Sequence, residues 1–211
     1  MLFTDIRFNA AEMRALYDDY RGNAYVDLRE RFEPGYRERN ERLLAGVTHM
    51  PLVESFLKPL LNFPVTLLDW GGDIGVNTPF KIQAERMDIF DIHSKPPLPG
   101  INRVKAGEIR DDYTLIVCAH VLEHLPYPVN TLREIAGHMR PDTILYVETP
   151  FEEVIRNGEP EKTRWHEHIN FFTIQSLGFL LARAGLRLEK WQARALDDGT
   201  HVFMLACGIG V

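Results

Sequence analysis

The stretch 65-VTLLDWGGDIGVN-77 runs from a mostly apolar segment into a turn that carries Gly71, Gly72, Asp73 and Gly75. A short apolar run ending in glycines reads as a strand followed by a turn where the backbone needs freedom that a Cβ would deny. Downstream of residue 64, short β-rich runs alternate with helical stretches, the pattern of βαβ units and a parallel sheet. In such a sheet ligands bind beyond the carboxyl ends of the strands, so the turn after the first strand is the place to look for one. The turn does not follow the dinucleotide pattern G-x-G-x-x-G, because Gly71 and Gly72 are followed by Asp73 and the next glycine is Gly75, which argues against NAD or FAD. No Gly-Lys-Ser/Thr occurs anywhere, which excludes a Walker loop. A plain bend without a ligand is the alternative reading of the glycines alone.

The 211 residues suit one medium domain with an extension, able to bury roughly 70% of the surface of the unfolded chain. With 45% hydrophobic and 26% charged residues the composition is that of a soluble protein, and no apolar run reaches the ~20 residues of a membrane span. The opening MLFTDIRFNA lacks the basic and apolar regions of a signal peptide, so a cytoplasmic location is expected. Cys118 and Cys207 sit in apolar strand-like runs and are expected to be inert core thiols. A net charge of −6 is opposite to the basic footprint of a nucleic-acid-binding protein, so no nucleic-acid partner is expected.

Residues 1–62 are expected to form an N-terminal helical lid or cover and residues 63–211 the main domain. In the first part RLLAGVTHMPLVESFLKPLLNF has apolar residues at helical spacing, with Pro51 near a helix start. Strands are expected at 65–70, 86–91, 102–106, 113–119, 143–149, 186–192 and 201–208. One helix puts Val129, Leu132, Ile135 and Met139 on one face; another starts with Thr173 as N-cap and stops at Gly185. Only about ten residues separate the last two strands, so they should pair antiparallel. The fold class is thus α/β: a Rossmann-like, seven-stranded, mostly parallel sheet with helices on both faces, an antiparallel final strand and an N-terminal helical extension.

The turn resembles the first motif of class I S-adenosylmethionine-dependent methyltransferases, an acidic residue, any residue, then glycines at alternate positions. Here it runs Asp69, Trp70, Gly71, Gly72, Asp73, Ile74, Gly75, with Asp73 in place of the middle glycine. A ribose also needs a carboxylate at the end of the second strand, about 20 residues on, and Asp91 stands 20 residues after Gly71. Asp88 lies on the opposite face by the period of two. A strand-end Asp is also a common surface turn residue. The segment 113–150, with its LEHL and P-x-x-x-LREI, is similar to the fourth strand, helix and fifth strand of the same family, and the whole resemblance spans roughly 64–185. It implies S-adenosylmethionine as cofactor, held by Asp69, Gly71, Gly72, Asp73, Gly75 and Asp91. Ala119 and His120 would flank its methionine end and Glu108 its adenine amine, while Glu123 and His124 shape the loop.

Beyond the fifth strand, where a base could act on an acceptor, lies KTRWHEHINFFT, 162–173. Its His-Glu-His run resembles the segment of bacterial sugar C-methyltransferases in which the second His is the catalytic base. The resemblance implies His168 as base, Glu167 as its assistant and His166 as a substrate contact, although Trp165 replaces the family's tyrosine. Histidines at i and i+2 lack a third ligand at suitable spacing, so no metal is expected; a structural role for the run stays open. The expected reaction is methyl transfer to a small polar acceptor, a hydroxyl of a sugar or polysaccharide-related metabolite. Sugar C-methylation and a non-catalytic cofactor-binding subunit are the alternatives, and a homodimer is a possible assembly. The N-terminal stretch interleaves Tyr17, Tyr20, Tyr25, Phe32 and Tyr36 with Arg21, Arg29 and Arg31, which suits either a lid over a polar substrate or a solvated helical face.

Overall fold

The computed structural model describes residues 2–3, 9–17, 20–32, 34–93, 95–151, 168–197 and 199–210. The chain opens with β1 (Leu2–Phe3) and four helices, α1 (Ala10–Tyr17), α2 (Asn23–Phe32), α3 (Tyr36–Leu44) and α4 (Met50–Leu57). There follow β2 (Val65–Trp70), β3 (Ala84–Phe90), β4 (Asn102–Arg103), β5 (Leu115–Ala119), α5 (Pro128–Gly137) and β6 (Ile144–Pro150). After β7 (Asn170–Phe171) come α6 (Ile174–Arg183), β8 (Leu186–Ala195) and β9 (His201–Ile209).

Seven of the strands form one sheet in the order β4-β3-β2-β5-β6-β9-β8. The pairs from β4 to β6 are parallel, and β9 runs antiparallel to both β6 and β8. The expected fold class is therefore met, and the strand order reverses between β2 and β5, in front of the glycine turn. β1 and β7 form a separate antiparallel pair, Leu2 opposite Phe171, which no sequence pattern announced.

Both faces of the sheet are covered, which is why the central strands read as continuous apolar runs rather than alternating ones. Successive residues of a strand point to opposite faces. Leu67, Leu115, Val117 and Tyr146 meet Met50, Val53, Phe56 and Leu57 of α4 on one side. Leu68, Ile116, Leu145 and Val147 meet Leu132 and Ile135 of α5 and Leu177 and Leu181 of α6 on the other. Helix α4, expected within the cover, is thus one of the sheet's core helices. Pro51 starts it, at a position where the missing N–H leaves no carbonyl unserved. The crossover from β2 to β3 is built of turns over 71–83, and α4 braces it: Glu54 Oε1 accepts the N–H of Phe80 at 2.6 Å.

Thr173 caps α6 as expected, its hydroxyl accepting the N–H of Ser176 at 3.2 Å, and Gly185 ends it at φ +77°. Cys118 and Cys207 are both buried, and burial pushes the Cys207 thiol up to about 12. Among the described residues no helix is long and apolar enough to cross a membrane.

Candidate active site

The turn after β2 contains three left-handed residues, Gly71 (φ +79°), Asp73 (φ +52°) and Gly75 (φ +91°). Only glycine enters that region freely. Its glycines also answer to their neighbours. A Cβ on Gly71 would overlap Val121, one on Gly72 would overlap the carboxylate of Asp69, and one on Gly75 would overlap Ile101. The Gly71 N–H donates to Phe90 O at 2.7 Å, which seats the turn against the end of β3.

Asp91, just past β3, reaches this turn as the sequence led one to expect. Its Oδ2 accepts the Asp73 N–H at 2.9 Å and its Oδ1 the His93 N–H at 3.2 Å. Asp88 instead faces the interior, taking the Tyr113 hydroxyl at 2.7 Å and the Asn102 amide at 3.1 Å. The Asp73 carboxylate is turned toward His93 Nε2 (2.8 Å) and Arg21 Nε (3.7 Å), while its carbonyl accepts from Arg103 Nη2 at 2.7 Å. Asp69 lies beneath the turn, 4% exposed, and takes the Thr78 hydroxyl at 2.5 Å; burial, against that hydrogen bond, pushes its carboxyl up to about 7. Glu108 is exposed on a short 3-10 turn, where Oε2 accepts the Lys105 N–H at 2.9 Å.

The second half of the site starts at Ala119, the last residue of β5, which pairs with Glu148 of β6. His120 bends away from the strand at φ +55° and lies between two buried carboxylates. Its Nε2 is 2.8 Å from Glu148 Oε1 and its Nδ1 3.3 Å from Glu123 Oε1. Burial opposes a charge on this imidazole, but the two carboxylates outweigh it and hold His120 well above the ordinary imidazole range. Glu148 also receives His49 Nε2, at 2.9 Å on Oε1 and 3.2 Å on Oε2, and the Tyr146 hydroxyl. Against its burial, the hydrogen bonds from His120 and His49 hold Glu148 below the usual carboxylate range.

On the other side of His120, the Glu123 side chain is 1% exposed, and His124 Nε2 lies 3.8 Å from its Oε1. The His124 and His168 rings meet edge to face, 4.8 Å between centroids. Burial, then the charge of His124, hold the His168 imidazole down at about 3. His168, expected as the base, thus stands against the loop that carries His124, in surroundings that oppose a charge on its ring. His166 and Glu167 lie outside the described residues. His49 and Glu148 escaped the sequence reading. Glu148 left one trace, an acid inside the apolar strand ILYVETP, since a buried charge demands partners; His49 left none.

The N-terminal tyrosines form a chain of ring contacts, Tyr17 with Tyr20 (5.3 Å), Tyr20 with Tyr25 (5.2 Å) and Tyr25 with Tyr36 (6.0 Å). The chain ends on the cluster, Tyr17 standing edge-on to His124 at 6.1 Å, while Arg21 reaches Asp73 and Lys95 Nζ donates to Tyr20 O. The segment therefore touches both halves of the site. Phe32, grouped with them in the sequence, is 64% exposed.

The family profile of a methyltransferase domain matches residues 17–190. The chain belongs to that family. It is an S-adenosylmethionine-dependent methyltransferase, as the motif at 69–75 implied. No curated protein matches the chain. Among solved structures it is similar to the Burkholderia thailandensis 1,6-didemethyltoxoflavin-N1-methyltransferase with bound 1,6-didemethyltoxoflavin and S-adenosylhomocysteine. That likeness has a TM-score of 0.68 at 18% identity over 99% of this chain and 94% of that one. The magnesium protoporphyrin IX methyltransferase of Synechocystis PCC 6803, with bound S-adenosylhomocysteine, matches at TM-score 0.66 and 11% identity over 96% and 100%. An Aquifex aeolicus S-adenosylmethionine-dependent methyltransferase matches at 0.58 and 18% over 87% and 97%.

Proposed function

We propose that the enzyme methylates a hydroxyl of a small polar acceptor. The named acceptors of the two solved relatives differ widely, so the common fold does not select one and the side chains at the sheet edge must. The observation that carries the reading is their character: His124, His168 and Tyr17 meet in front of β5, a lining of hydrogen-bonding groups rather than an apolar slot. A saccharide is the first class to test, on the resemblance of the His-Glu-His run.

The donor set at the turn fits the cofactor. The left-handed backbone of Gly71 and Gly75 lets main chain stand close to a ligand, and Asp91 accepts ribose hydroxyls in addition to the N–H groups that orient it. Arg103 Nε and Nη1 and Asn77 Oδ1, buried beside the turn and given no partner by the described residues, offer further hydrogen bonds. Ala119 and His120 line the methionine end. Glu108 would take the adenine amine only by sharing the oxygen that holds Lys105.

S-Adenosylmethionine held there would supply an activated methyl on a sulfonium, and a hydroxyl that receives it must give up its proton. The protein aligns the two partners, and the tyrosine chain with Arg21 covers them from water. His168, held at about 3, takes a proton only from an oxygen already made acidic. Turnover should therefore show no ionisation of His168 near neutrality. The test is incubation with isotope-labelled S-adenosylmethionine and a panel of monosaccharides, nucleotide sugars and other polyols, reading S-adenosylhomocysteine release and the product by carbon NMR. A methoxy signal is the expected result. A methyl found on carbon or nitrogen would contradict the hydroxyl reading.

A further inference from the structure

Two buried carboxylates flank His120, and they are satisfied differently. Glu148 accepts from His49, His120 and Tyr146, so both its oxygens are occupied by donors. Glu123 is equally buried, yet neither of its oxygens receives a hydrogen bond from a described residue; the imidazole nitrogens of His120 and His124 stand off at 3.3 and 3.8 Å. Among the described residues Glu123 thus has an ion-pair partner in His120 but no hydrogen-bond donor, and a buried carboxylate short of donors takes up an ordered water or a cation. One ligand atom each from Glu123, His124 and His168 lies within 4.8 Å of the others. Ligands of one tetrahedral ion with bonds of about 2.0–2.2 Å stand roughly 3.4 Å apart, so small side-chain rotations would bring these three together.

The backbone already fixes the three carriers. Ile169 N–H donates to Glu123 O at 2.8 Å, and Asn170 Nδ2 donates to Leu122 O at 3.1 Å and Leu125 O at 2.7 Å, so the strand entered after His168 is strapped to the loop bearing Glu123 and His124. That loop begins at Val121, against which Gly71 packs, so the cluster adjoins the cofactor turn. Behind it, His120 joins Glu123 to Glu148 as an outer partner of the kind that orients metal ligands.

We propose that Glu123, His124 and His168 form a three-ligand site for a divalent transition-metal ion of the zinc class, with the remaining coordination position open to the acceptor's hydroxyl. Two imidazoles and one carboxylate suit zinc, cobalt or iron(II) over magnesium or calcium, and three protein ligands with an open position are the catalytic arrangement. The ion would lower the pKa of the bound hydroxyl, as it brings that of bound water to about 7, so the proton passes to solvent before or during methyl transfer. This role rests on the hydroxyl reading above; the site itself does not. The neighbouring trio His49, His120 and Glu148 has comparable spacing, but its hydrogen bonds already occupy the carboxylate.

The test uses tag-free, chelator-stripped full-length protein, titrated with Zn(II) by calorimetry and with Co(II) by visible absorption, without cofactor or acceptor. The expected result is one ion per chain and the intense bands of tetrahedral cobalt, with affinity reduced at least tenfold in Glu123→Gln and in His168→Gln and unchanged in His49→Ala. Thermal unfolding of each variant shows that it is folded, and either of the first two suffices. Absence of binding by the wild type, wild-type affinity in both ligand variants, or loss confined to His49→Ala would overturn the site. Hydroxyl methylation that survives chelation would overturn the metal's role and leave the hydroxyl reading intact; metal binding without any hydroxyl methylation would do the reverse.

Discussion

The two halves of the site are built from different materials. The glycine turn is local: a strand, three left-handed residues and one carboxylate 20 residues on, held largely by backbone N–H groups. The imidazole–carboxylate cluster is assembled from side chains of distant segments, His49 before α4, His120 to His124 after β5, Glu148 in β6 and His168 before β7. The first kind of site depends on conformation, the second on paired buried charge. Each is therefore vulnerable at a different point. Replacing a glycine in the turn strains the protein before any ligand arrives, so Gly71→Val cannot separate binding from folding. In the cluster, charge and fold can be separated residue by residue.

The largest effect is expected at Glu148. Glu148→Gln leaves His120 and His49 without their shared carboxylate, and breaking a buried pair in this way costs about 3–5 kcal/mol. Glu123→Gln should cost less than half as much, because Glu123 gives up no well-formed hydrogen bond. Urea unfolding of the two variants checks this, and equal losses would break the contrast between the carboxylates.

A third buried carboxylate sharpens it. Asp69 has one hydroxyl donor and no imidazole, and its folded pKa of about 7 lies above the 3.8 of the unfolded chain. The folded state therefore binds the extra proton, so stability is fully present below about pH 4 and falls as pH rises to about 7. At 1.36 kcal/mol per unit the loss is on the order of 2–4 kcal/mol after allowance for the coupled charges of Asp73 and Asp91. Asp69→Asn should be flat over that window relative to the wild type in unfolding measured at stepped pH. A parallel pH dependence in the two proteins would show that Asp69 ionises normally.

The legibility of the molecule follows the same division. The sheet could be read because each strand is a separate apolar run and each break carries its own turn residues; even the reversed β9 followed from the short connection between 192 and 201. The turn and Asp91 could be read because both lie on one crossover between neighbouring parallel strands, β2 and β3. What stayed hidden is non-local. His49 lies 99 residues from Glu148 in the chain, and no spacing rule links them. Helix α4 read correctly as a helix, but only the tertiary structure shows that its apolar face closes the sheet core beneath β2 and braces a crossover built of turns. The basicity of His168 is likewise set by burial and by His124, neither of which its neighbours in sequence reveal.

The most direct measurement is a calorimetric titration of the wild type and of Asp91→Ala with S-adenosylhomocysteine. One molecule should bind per wild-type chain, with a loss of ~1.5–3 kcal/mol in the folded variant, the worth of hydrogen bonds to a charged group. Wild-type affinity in a folded Asp91→Ala protein would place the ribose carboxylate elsewhere, and no binding by the wild type would contradict the reading of the glycine turn as the cofactor site.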